Sequence, residues 1–127
     1  MKPILLISAF IMLAALYRQK DLWVAPEKAN TIPNPIANNN ISIERGKKLF
    51  SQVCWTCHGV NGQGNGPASK ALKRKPANFT DSTLQKQTDG ALFWKISEGK
   101  GQMSPYKVSL TTEQRWHLVN YIRNFKK

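Results

Sequence analysis

Cysteine is scarce in this chain of 127 residues, which has only Cys54 and Cys57. A scaffold stapled by several disulfides is therefore excluded, and two cysteines with two histidines suffice for one Cys2His2 zinc site at most. Acid is scarce as well. Seven Asp and Glu face nineteen Lys and Arg, a formal charge of +12. Apolar runs are short apart from residues 3–17, so a polytopic membrane protein is excluded although 41% of the residues are hydrophobic. The Gly-x-Gly-x-x-Gly and Gly-x-x-x-x-Gly-Lys-Ser/Thr patterns and the nucleophile elbow are all missing. The length suits one domain with a modest core.

The chain opens with Met1-Lys2 and then runs without a charge to Tyr17. As a helix that run rises about 22 Å, less than the hydrocarbon thickness of about 30 Å and typical of a signal-peptide core. Ala14-Ala15-Leu16-Tyr17 offers no small-x-small cleavage pair, and the lack of cysteine near residue 17 excludes a lipoprotein anchor. Residues 1–17 are thus expected to direct export and to stay as an N-terminal membrane anchor, with a soluble exported protein as the outcome if they are cleaved. Residues 18–40 hold three prolines and five asparagines with no sustained periodicity, and read as a flexible linker. The folded domain is expected over residues 41–127.

Cys54-Trp55-Thr56-Cys57-His58 has the Cys-x-x-Cys-His spacing of covalent c-type haem attachment. Two thiols three residues apart on a helical turn reach the two vinyl groups along one porphyrin edge, and the next residue brings an imidazole under the iron. A thioredoxin-like pair needs only Cys-x-x-Cys and a βαβ setting, which the pattern here does not supply. A zinc site would recruit Cys54, Cys57, His58 and His117, yet adjacent Cys57 and His58 point in different directions on a helical turn.

From residue 41 onward the chain resembles the class I c-type cytochromes, small monohaem bacterial proteins. The resemblance rests on Gly46-x-x-x-Phe50, CWTCHG, the run NGQGNGP, Lys75-Pro76-Ala77-Asn78-Phe79, a single downstream Met103 and a last helix with Tyr121. It implies one covalently bound haem c with its iron, held through Cys54 and Cys57. It implies His58 as the fifth ligand, with the carbonyl of Pro67 as acceptor for the other ring nitrogen. Gly62, Gly64 and Gly66 would let the loop turn tightly beneath the haem edge. Met103 is the expected sixth ligand. It is the only methionine after residue 17, and it lies in Gly99-Lys100-Gly101-Gln102-Met103-Ser104-Pro105-Tyr106 rather than on a helix face. Ser104 departs from the Met-Pro of the family. His117 is the competing ligand and is expected to be a solvated or edge residue of the last helix.

The fold expected is all-α, a few helices wrapped around the haem. Ser42 is expected to cap a first helix bearing Ile43, Leu49, Phe50 and Val53. A middle helix over about 89–98 carries Leu92, Phe93 and Ile96 and ends at Gly99. The last helix starts at Thr111 with Gln114 completing a capping box, and its stripe is Leu118, Tyr121, Ile122 and Phe125. Gly46 would let the first and last helices cross closely under Tyr121 or Leu118.

Fifteen basic and five acidic residues from Ile41 onward leave +10, with Lys70, Lys73, Arg74 and Lys75 in one stretch. The expected partners are redox proteins with acidic docking faces, an oxidoreductase or a terminal oxidase, and the membrane through the N-terminal segment, not nucleic acid. The function the resemblance implies is single-electron transfer on the periplasmic side of a bacterial cytoplasmic membrane, without enzyme activity. The alternatives are a fixed haem relay in an oxidoreductase complex, a haem enzyme or sensor with an open sixth position, and a haem-free zinc or thiol-redox module.

Overall fold

The computed structural model describes Ile11, Met12 and residues 23–126. The remainder of the expected anchor, residues 1–17, lies outside the described residues. Among the described residues no helix is long and apolar enough to cross a membrane. The helices are α1 (Glu27–Asn30), α2 (Asn40–Val53), α3 (Trp55–His58), α4 (Ser82–Gln85), α5 (Asp89–Glu98) and α6 (Thr112–Arg123), with short 3-10 turns at Ser69–Ala71 and Tyr106–Val108. Described residues form no strand, only an isolated bridge between Lys100 and Met103.

Helices α2 and α6 cross at Gly46. A side-chain carbon there would sit 2.1 Å from the His117 carbonyl oxygen and 2.7 Å from Tyr121 Cβ, so only glycine permits this approach. Tyr121, not Leu118, lies over the glycine. Leu118 instead joins Phe50, Phe79, Leu92, Ile96, Trp116, Val119 and Ile122 in the buried core. Helix α6 opens with the expected capping box: the Thr111 side chain accepts from the Gln114 amide, and the Gln114 side chain accepts from the Thr111 amide. Helix α5 has the expected span, capped by the Thr88 side chain at the Ala91 amide and ended by Gly99.

The first helix is capped differently from the expectation. Asn39 rather than Ser42 is the cap, its side-chain oxygen accepting from the Ser42 amide at 3.0 Å. Ser42 lies inside α2 and buried, and its hydroxyl is 2.8 Å from His117 Nδ1 and accepts from Asn120 Nδ2 at 2.7 Å. Two helices pressed this close leave no room for water, so their polar groups must pair with each other. His117 is accordingly buried, at 5% exposure, and not the solvated or edge residue expected.

Residues 23–40 do not behave as a flexible linker. Ala25 and Ala29 are buried against Ala91, with Trp94 packed beside them. Gly90 lets the strap lie flat, since a side-chain carbon there would meet the Ala29 carbonyl oxygen at 2.1 Å. Asn34 Nδ2 lies within donor range of both Asn120 Oδ1, at 2.8 Å, and Asp89 Oδ2, at 3.0 Å. Asn120 Nδ2 in turn reaches the Ile36 carbonyl at 3.3 Å. Asp89 also pairs with Arg123 at 2.7 Å. Average composition sets how much surface a segment can bury, but three small apolar contacts and a matched polar hub suffice to dock it.

Candidate functional site

The site begins where α2 ends. Cys54 is the C-cap of α2, its amide bonded to the Phe50 carbonyl at 3.0 Å, and the chain turns at once into α3, where His58 N donates to the Cys54 carbonyl at 3.0 Å. Both cysteines and His58 are therefore on one tight turn whose direction is set by the buried Phe50. Both thiols are free and partly buried. Burial, with Cys57 beside it, pushes Cys54 up to about 12.

His58 is oriented from two sides. Its ring stacks on Phe79 at 4.5 Å between centroids and 18° between planes. Its Nδ1 lies 3.1 Å from the Ala77 carbonyl oxygen. The acceptor is thus Ala77, where Pro67 was expected. Pro67 lies between two residues bonded to the attachment turn from behind, Gly66 N to the Cys57 carbonyl at 3.0 Å and Ala68 N to the Thr56 carbonyl at 2.9 Å. A bonded Nδ1 leaves Nε2 as the nitrogen that can face a metal, the usual arrangement for a ligating histidine. Burial lowers the basicity of His58 more than the Ala77 contact raises it, which favours the neutral, ligating ring.

The intervening loop fits the turn closely. Gly64 N donates to the His58 carbonyl at 2.8 Å and Phe79 N donates to the Gly62 carbonyl at 2.6 Å. Gly62 and Gly64 take positive φ, 67° and 74°, whereas Gly66 does not. Phe50, Phe79, Tyr121 and Phe125 form an aromatic wall, with centroids 5.0–6.1 Å apart in edge and tilted contacts.

Met103 is partly buried and packs against the same core as Cys54 and Trp55. Its loop is fastened to the attachment turn: Tyr106 Oη donates to the carbonyl of Val53, the residue before Cys54, at 2.9 Å. Lys73 N donates to Gln102 Oε1 at 2.8 Å, which sets the basic stretch beside the methionine loop. Lys70, Lys73, Arg74 and Lys75 are all exposed. His117 is committed elsewhere, to Ser42 through Nδ1 and to Glu113 at 3.2 Å through Nε2. No cluster of three or more His, Cys, Asp or Glu suited to a metal ion occurs among the described residues, so the four residues of the zinc alternative do not converge.

The donor set fits a covalently bound haem: two free thiols on one turn, an imidazole with one nitrogen already held, and a soft thioether on a loop tied to that turn. Ala77, Phe79, Gln102 and Tyr106 were not singled out from the sequence as site residues. Ala77 and Phe79 lie in Lys75-Pro76-Ala77-Asn78-Phe79, but a carbonyl acceptor leaves no mark in residue identity.

The chain matches the cytochrome c family over residues 43–126. Among solved structures, the KustC0563 c-type cytochrome is 38% identical with a TM-score of 0.56, covering 65% of this chain and 98% of that one. A chain of the Kuenenia stuttgartiensis reducing HAO-like protein complex Kustc0457/Kustc0458 is 24% identical with a TM-score of 0.68 over 76% of this chain. This chain spans only half the length of that one. No curated protein matches it. The all-α, cytochrome c-like fold expected from the sequence holds.

Proposed function

This chain belongs to the cytochrome c family, and from that premise we propose that it is a single-haem carrier moving electrons between respiratory redox proteins outside the cytoplasmic membrane. It is a haem c protein of electron transfer. When bound, the haem iron supplies a one-electron ferric–ferrous couple. Cys54 and Cys57 hold the porphyrin edge, His58 Nε2 is the fifth ligand, and Met103 is the sixth. The Ala77 carbonyl fixes the His58 tautomer, and the Phe79 ring fixes its plane.

The observation that carries this reading is the fastening of the Met103 loop to the residue before Cys54. It sets a thioether beside the attachment turn, which speaks against an open sixth position and so against a haem enzyme or gas sensor. The exposed Lys70, Lys73 and Lys75 lie on a stretch tied to that same loop, which favours partners with acidic faces and encounter rates that fall with salt. In this reading the protein has no substrate pocket and is no enzyme. Residues 1–17 keep it at the periplasmic side of the membrane.

The ferric protein should show the weak near-infrared sulfur-to-iron band of His/Met haems and bind cyanide slowly. Met103→Ala should abolish the band, lower the potential and open the iron to cyanide, whereas His117→Ala should leave all three as they were. A parent without the band, or a Met103→Ala protein that retains it, would overturn the assignment.

A further inference from the structure

Resting on the reading of Met103 as the sixth ligand, we propose that Tyr106 and Gln102 are positioning residues that latch residues 99–106, Tyr106 to the haem-attachment turn and Gln102 to the Lys73 backbone, and so set how readily Met103 leaves the iron. The loop has little else to hold it. None of residues 99–106 is fully buried; Gly101, Gln102, Ser104 and Pro105 are exposed, and only Gly99, Met103 and Tyr106 are partly covered. Its internal bonds are one reciprocal backbone pair between Lys100 and Met103, at 3.0 and 3.1 Å. Gly99 and Gly101 take φ of 63° and 57°, backbone states that carry little cost for glycine. A segment with so few buried contacts opens locally at low free energy, and the few bonds that fasten it decide how low.

Two such bonds flank the methionine and run to different parts of the chain. On one side the Gln102 side chain accepts from the Lys73 amide at 2.8 Å. On the other the Tyr106 hydroxyl donates to the Val53 carbonyl at 2.9 Å. Val53 is the last residue of α2 and precedes Cys54, so the Tyr106 bond joins the sixth-ligand loop directly to the fifth-ligand turn. The Tyr106 ring also packs on the core, a task that phenylalanine would perform equally well. Only the hydroxyl adds the bond. Because the bond lies at the surface, water replaces it once broken, and its effect is that of one solvent-accessible hydrogen bond.

The test uses the ferric, haem-loaded protein and follows cyanide association, the near-infrared band and the guanidinium unfolding midpoint together. Tyr106→Phe should bind cyanide about fivefold faster and Gln102→Ala about threefold faster, with the band retained and the midpoint unchanged. The double variant should be about fifteenfold faster, because both bonds add to one opening free energy. Val108→Ala, at a position 81% exposed and outside the loop, should bind cyanide at the parent rate. Parent-like rates in Tyr106→Phe and Gln102→Ala overturn the latch, and so does an acceleration matched by loss of global stability. If Tyr106→Phe does not yield haem-loaded protein, a parent-like rate in Gln102→Ala overturns the latch on its own. A parent lacking the band overturns the Met103 reading and the latch with it. A parent with the band and unaltered variants overturns the latch alone.

Discussion

Residues 23–39, with only the one-turn helix α1, and residues 99–106, with none, are both laid over the same helical body, yet they are held in opposite ways. The first has Ala29 at 3% exposure and ends in the Asn34–Asn120 pair, whose inner partner is 0% exposed. The second has no fully buried residue and is tied by surface hydrogen bonds. Lifting the first would take Asn34 from the Asn120 side-chain oxygen and the Ile36 carbonyl from the Asn120 amide group, beside an opened core. Lifting the second gives up the partial packing of Met103 and Tyr106 and exchanges two surface bonds for bonds to water. Fixity thus depends on the few buried contacts a segment makes, apolar ones and those that complete buried polar groups of its neighbours, and not on its average composition.

The comparison is broken most severely at Asn120. Asn120→Ala leaves Asn34, Ser42 and the Ile36 carbonyl without their shared partner and opens a small cavity. It should cost about 2–4 kcal/mol in guanidinium unfolding. The near-infrared band should persist, since the methionine loop makes none of these bonds. A variant as stable as the parent would mean that the hub does not hold the strap.

A smaller change sharpens the contrast. Gly90→Ala places a carbon against the Ala29 carbonyl and should cost about 1–3 kcal/mol. Protease cleavage within residues 23–39 should quicken, while cyanide binding stays at the parent rate. Quickened cyanide binding would show that strap and loop move together.

The smallest effect expected is at Lys95, which sits 5.5 Å from the Trp23 ring centroid and donates to Gln87 at 2.6 Å. Burial, and then the nearby Lys100, lower its pKa from the ordinary 10.5. The unfolded chain therefore binds more protons than the folded one between the lowered value and 10.5, and this residue's contribution makes stability rise with pH across that window. Lys95→Gln should flatten the rise in unfolding free energy as the pH approaches 10.5 from below. A profile identical to the parent's would assign the shift no energetic weight.

Much of this was legible before any coordinates. The α6 capping box, the span of α5 and the glycine crossing of α2 follow from patterns within a few residues of each other, because caps and helix faces are local. The Cys54–His58 turn was legible for the same reason. The Asn39 cap was missed because Ser42 also has a capping side chain, and only the packing against His117 shows why that serine is wanted elsewhere. At the site, Pro67 was expected to accept from His58 and Ala77 does so. Every residue carries a carbonyl, so which one arrives is decided by the path of the loop.

Residue spacing along the chain was enough for the haem-attachment motif, for the one candidate thioether beyond the apolar run and for a helical fold around them. It could not say that residues 23–39 dock, that His117 is a buried partner of Ser42, or that Tyr106 reaches the carbonyl before Cys54. Those contacts join residues 86, 75 and 53 positions apart. A pairing across such distances exists only once the helices have crossed and water has been excluded between them, so the buried polar groups choose partners that no local pattern encodes.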